Sequence, residues 1–210
     1  MPSLSQILKA QSPLLLVDAA SERIQVGLLG AGQPARWSTR RDEAGVGIFE
    51  CLDELGLDIG LVRAFAFCEG PGSILGIRTA ATAIRMWGVI ELRPVYRYQS
   101  LAVVAHVLGR PGVTAIADAR RGLWHRLSLE SPLGRVPASA LSGELIMPEG
   151  FRHWDPLPPG TALVPYDLAA LFGRPAVADA DLFRETVEPD AFLHQEPAYA
   201  KWVPQIHRAP

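Results

Sequence analysis

Cysteine is scarce in this chain: Cys51 and Cys68 are the only two among 210 residues. Two thiols so placed supply neither a disulfide framework nor the paired spacing of a zinc or redox site. Reduced thiols in apolar surroundings are expected, and with them a cytoplasmic location. A charge excess is missing too. Twenty Lys and Arg stand against 22 Asp and Glu, for a formal net charge of −2, so no strong overall field draws the molecule to nucleic acid or anionic lipid. Nowhere do 18 apolar residues run uninterrupted, and Met1 to Lys9 has no basic region leading into a long apolar stretch. The expectation is neither export nor a membrane span. The histidines (His106, His125, His153, His194 and His207) are scattered with no pair at i and i+4, which leaves no helical metal-binding pattern and no expected metal site.

What is present suits a folded chain, with 49% apolar and 20% charged residues. The length favours two compact lobes. The first is expected over residues 1–100. A second, reduced lobe over residues 101–210 would follow, its C-terminal segment packing back on the first. Leu14 to Ala20 and Ile24 to Leu29 flank the turn-like Ser21-Glu22-Arg23 and read as a β-hairpin. A third strand is expected over Ala35 to Ser38. Asp42 to Leu55 puts Ile48, Cys51, Leu52 and Leu55 on one helical face, with Gly56 as the stop. Arg63 to Cys68 reads as a buried strand. Ile74 to Ile90 is helical, with Ile77, Ala81, Ile84 and Gly88 on one stripe. The order is βββαβα.

Arg93 to Tyr98 predicts another strand, and Gln99-Ser100 a cap for a helix over Leu101 to Leu108. Gly109 to Gly112 breaks the chain. Val113 to Asp118 and Leu123 to Glu130 then flank Ala119-Arg120-Arg121-Gly122 as a second hairpin. From Ser131 onward lie 12 of the 18 prolines, so loops and edge elements are expected in the Pro-rich stretch 131–194.

The most informative segment is Glu69-Gly70-Pro71-Gly72-Ser73, set between a strand and a helix. Gly72 suits unusual backbone angles and Ser73 suits a helix cap. Amides at a helix start also bind anions. The segment, however, has neither the Lys of a P-loop nor dinucleotide-fingerprint spacing, which leaves a structural turn as the main reading.

Residues 70–84, GPGSILGIRTAATAI, resemble the GPGSFTGLRIG segment of the TsaB (YeaZ) family, partner subunits in threonylcarbamoyladenosine synthesis on tRNA. Three more segments resemble that family in the same order: residues 15–21 (LLVDAAS), 117–122 (ADARRG) and 196–201 (EPAYAK). Ile74-Leu75 replaces the family's aromatic-Thr pair, Asp42-Glu43 its His-Thr, and Ala200-Lys201 its Leu-Arg. The resemblance is therefore to a divergent member. It implies an α/β actin-like ATPase (ASKHA, RNase H-like) fold of two lobes. It also implies a non-catalytic role, with a TsaD-like catalytic subunit and a TsaE-like ATPase as partners and tRNA reached only indirectly. No cofactor of its own is expected, ATP being held at the level of the complex. By position, the family's helical interface falls on Phe49, Leu52, Ile77, Arg78, Thr82, Arg85 and Met86, and the same helices also suit a homodimer.

The alternative is an enzyme, either an actin-like phosphotransferase or a glycoprotease-type hydrolase. Asp18 stands where such kinases position a metal, but the adjoining hairpin has no phosphate-loop glycine. Ser73 lacks the flanks of a G-x-S-x-G elbow, and Cys68 precedes acidic Glu69 instead of a cation that favours thiolate. Arg120, Arg121 and Arg126 with Trp124 and His125 form a small basic and aromatic cluster. It reads first as a solvated hairpin face, with RNA stacking as the lesser alternative, and no tRNA binding is assigned to it.

Overall fold

The first element of the computed structural model, which describes residues 1–192, is a helix that the patterning did not announce, α1 (Leu4–Ala10). Ser3 starts it with a capping box: its hydroxyl accepts from the Gln6 N–H, and the Gln6 side chain accepts from the Ser3 N–H. About two turns are too few for apolar periodicity to show, so the Ser-x-x-Gln spacing was the available signal.

β1 (Leu14–Asp18), β2 (Ile24–Leu29) and β3 (Arg36–Arg40) form an antiparallel meander. The third strand thus runs two residues beyond its expected end. The helix α2 (Ala44–Leu55) begins two residues later than expected, and Glu43 at its start supplies no side-chain cap. Gly47 lets α2 sit on β2, since a Cβ there would lie 2.4 Å from the Ile24 side chain. β4 (Ala64–Gly70) runs parallel to β1 and leads into α3 (Ile74–Ile90), whose bounds match the expectation. β5 (Val95–Gln99) pairs parallel to β4, followed by α4 (Ser100–Leu108). Gln99 makes no capping bond. Ser100 lies inside the helix, and its hydroxyl donates to the Pro71 carbonyl at 2.7 Å.

A second sheet is built from β6 (Val113–Asp118), β7 (Leu123–Ser128), β8 (Ser131–Pro137), β9 (Glu144–Pro148) and β10 (Ala162–Val164), in the order β10-β9-β6-β7-β8. Here the expectation of only loops and edge elements needs correction. β8 and β10 are edges, and the prolines of β8 are tolerated there. β9 is an interior strand, with Leu145, Ile146 and Met147 buried. Proline density misled because Pro148 ends the strand instead of interrupting it. After α5 (Leu168–Phe172) and α6 (Pro175–Ala178), the short β11 (Arg184–Glu185) pairs antiparallel with β5. The first sheet therefore reads β11-β5-β4-β1-β2-β3.

β1 and β4 are buried along their whole lengths, as strands in the middle of a covered sheet must be. α2 and α3 pack side by side against the first sheet. α4 packs against strands of both sheets, and the buried apolar residues of both form one cluster.

Candidate functional site

The turn between β4 and α3 is pressed against the end of β1. The Ser73 N–H donates to the Ala20 carbonyl at 2.7 Å, and the Ser73 hydroxyl accepts weakly from the Gly76 N–H at 3.3 Å. A Cβ on Gly72 would stand 2.4 Å from the Ala20 oxygen, and one on Gly76 only 2.1 Å from the Ala19 oxygen. Both glycines are required by this approach. The Gly70-Pro71 peptide is cis. Carbonyls of residues 19 and 20 thus face the start of α3, where an anion would have to sit, and the segment is a docking turn instead of a phosphate cradle. Glu69, almost fully buried, accepts from Arg97 at 2.8 Å and from the Gln99 amide at 3.2 Å, so its charge is matched on the spot.

Asp18, the residue considered for a metal, is sealed at the end of β1. Its Oδ1 accepts from the Ala20 N–H at 2.8 Å; its Oδ2 accepts from the Tyr98 hydroxyl at 2.6 Å and the Tyr166 hydroxyl at 2.8 Å. No part of it reaches solvent. Burial pushes its carboxyl above the usual range, while the bonds from Tyr98, Ala20 and Tyr166 pull the other way. Burial, and next the Asp18 charge, push the Tyr98 and Tyr166 phenols and the Cys68 thiol well up. Cys51 and Cys68 are both buried and free, which makes neither a ready nucleophile. Among the described residues, no three His, Cys, Asp or Glu side chains gather as a metal-binding group.

The expected interface residues divide. Phe49, Arg78, Thr82, Arg85 and Met86 lie on the surface. Leu52 and Ile77 do not: at 6% and 1% exposure they belong to the core, and that part of the expectation is corrected. Both sit on the stripes by which α2 and α3 pack against their neighbours, where sequence periodicity cannot tell a core face from a partner face. Arg78 pairs with Asp190 at 3.5 Å, and Arg85 donates to the Thr82 hydroxyl at 3.0 Å.

Residues that sequence reasoning missed complete this face. Leu75 is 78% exposed and Val89 87%; with the expected Arg78, Thr82 and Met86 (60% exposed) they follow one another along α3 in steps of three and four, and Arg85 lies next to Met86. Ile90 and Leu92 continue the apolar surface at the end of the helix, and Val46 joins Phe49 as exposed on α2. The available signal was that Leu75, Met86 and Val89 lie off the core stripe of α3. Of the basic and aromatic cluster, Trp124 turns into the core at 1% exposure. The 196–201 segment, His194 and His207 lie outside the described residues. Among the described residues, no helix is long and apolar enough to cross a membrane.

No family model and no curated protein matches the chain. Solved structures do. YeaZ from Pseudomonas aeruginosa is similar at 25% identity and a TM-score of 0.52, over 64% of this chain and 74% of that one. An uncharacterized Pseudomonas aeruginosa protein with similarity to peptidase YeaZ is similar at 24% identity and a TM-score of 0.53, over 76% of this chain and 89% of that one. Its two-sheet α/β fold and its likeness to YeaZ make this chain a low-identity relative of the YeaZ (TsaB) family.

Proposed function

We propose that the protein is a non-catalytic, cytoplasmic subunit of the machinery that makes threonylcarbamoyladenosine at position 37 of tRNA. It binds a TsaD-like catalytic subunit and, with it, a TsaE-like ATPase. The observation that carries this reading is the exposed face of α3, where Leu75, Met86 and Val89 are open to solvent beside Arg78, Thr82 and Arg85, on a YeaZ-like fold. Fully covering such side chains is worth about 1.5–3 kcal/mol each, and the apolar group Met86, Val89 and Ile90, at i, i+3 and i+4, suits a partner better than it suits water. The strand order β5-β4-β1-β2-β3 supports an RNase H-like, actin-like first lobe. In such a lobe the end of β1 is where a nucleotide-bound metal would be met. Tyr98 and Tyr166 occupy the Asp18 carboxylate at that place, which supports a subunit without phosphotransfer of its own. Any ATP is then held by the complex and the tRNA chemistry by the catalytic partner. Cytoplasmic residence agrees with the free thiols of Cys51 and Cys68.

Co-elution with the TsaD homologue of the same organism is the direct test. The chain should form a stable complex, and Met86→Asp with Val89→Asp should abolish it while leaving the thermal midpoint of the isolated chain within a degree or two, since both positions are exposed. A complex that survives the double substitution assigns the interface elsewhere. ATP turnover by the isolated chain would return the enzyme reading.

A further inference from the structure

Folding regroups the basic and aromatic residues of the second sheet. Trp124 goes inward, and the loop after β9 instead brings Arg152, His153 and Trp154 to the β6–β7 turn. Asp118 joins the two loops. Its Oδ1 accepts from the Arg120 N–H at 2.5 Å, and its Oδ2 accepts from the N–H groups of Trp154 at 2.7 Å and Asp155 at 3.1 Å. Asp155 returns the tie by accepting from the Gly122 N–H at 2.9 Å. Both carboxylates are thereby turned to backbone amides. Arg120, Arg121 and Arg152 are left without an ion-pair partner among the described residues. The Arg120 guanidinium lies 4.2 Å from the centroid of the Trp154 ring, and Trp154 remains 57% exposed.

The backbone adds a second observation. Arg120 and Arg121 hold φ of 62° and 59°, a left-handed region that Gly, Asn or Asp fill far more readily. A turn selected for stability alone would place those residues there. Arginine at both positions instead sets two cations at the apex, beside an exposed indole.

We propose that Arg120, Arg121, Arg152 and Trp154 form a docking surface for single-stranded nucleic acid. The Arg120–Trp154 stack offers a platform to an unpaired base, and the remaining guanidiniums take the flanking phosphates in bidentate fashion. An acidic peptide would engage the guanidiniums and leave the indole unused; an unpaired nucleotide uses both. With an overall charge of −2, the contact is local and salt-sensitive instead of a property of the whole surface. This inference goes beyond the subunit role, and its test needs no partner, so the two fail separately.

The test is a fluorescence-anisotropy titration of the isolated full chain with a short fluorescein-labelled oligo(A) RNA at low salt. The wild-type chain should bind, and Trp154→Ala should weaken binding by about tenfold or more. Arg120→Gly with Arg121→Gly should also weaken it, lowering the log–log salt slope by about 0.7 for each lost phosphate contact. Because glycine suits both φ values, that double variant should keep or raise the thermal midpoint, which separates lost binding from lost folding. No binding by the wild-type chain overturns the proposal. So does unchanged binding by both variants, or displacement of the RNA by polyglutamate as readily as by unlabelled oligo(A).

Discussion

At the scale of single residues, Asp18 and the hydroxyls around it show how one position acquires a role that neither its type nor its place along the strand reveals. A strand-end aspartate commonly caps the turn that follows it, and the Ala20 N–H bond is of that kind. Full burial and two tyrosine hydroxyls go further and make it a hub. Its folded-state pKa is raised from the ordinary 3.8, with burial as the largest cause. The folded chain therefore holds this proton more tightly than the unfolded one. The stability it contributes is fully present below the unfolded value and is lost as pH rises through the folded value. Asp18→Asn removes that dependence. In urea titrations across the acidic to neutral range, the stability of the wild-type chain relative to this variant should fall as pH rises. A difference independent of pH would contradict the assignment.

At the scale of elements, α3 is the part whose bounds were most legible. Its first turn is fixed by Gly72, Ser73 and Gly76, and the spacing of these residues is visible in the sequence. What they dock against, the carbonyls of Ala19 and Ala20, comes from the turn just after β1, more than fifty residues earlier. Gly76→Ala places a methyl 2.1 Å from the Ala19 oxygen, against backbone that cannot swing aside as a side-chain tip does. A loss of about 2–3 kcal/mol is expected, read from the urea midpoint. An alanine at the half-buried Gly88, whose added Cβ meets nothing within 4 Å, should instead raise stability slightly by removing a mid-helix glycine. β9 was the least legible element. Its apolar core is short and proline-flanked, and only pairing with β6 on one side and β10 on the other makes it interior.

At the scale of the whole molecule, the segment after β10 ties the second sheet's chain to the first sheet. Besides the Tyr166 hydroxyl on Asp18, the Gln25 side chain donates to the Tyr166 carbonyl at 3.0 Å and accepts from the Leu168 N–H at 2.8 Å. Tyr166 also packs edge-on against Phe151, and Tyr98 against Phe172. Tyr166→Phe keeps the ring contact and removes only the bond to the carboxyl, so unfolding should become easier by about 1–3 kcal/mol, measured by chemical denaturation. An unchanged midpoint would show that the tie contributes nothing. The sequence by itself determined the βββαβα order that follows α1, the helix of residues 74–90 and the turn that launches it, because periodicity, glycine and capping act over a few neighbouring residues. Only the tertiary structure decided that Leu52 and Ile77 are core while Leu75 and Val89 are surface, that Asp18 is sealed by Tyr98 and Tyr166, and that Trp154 and not Trp124 stands beside Arg120. Each of these depends on which distant segment covers a given face, and local pattern carries no record of that.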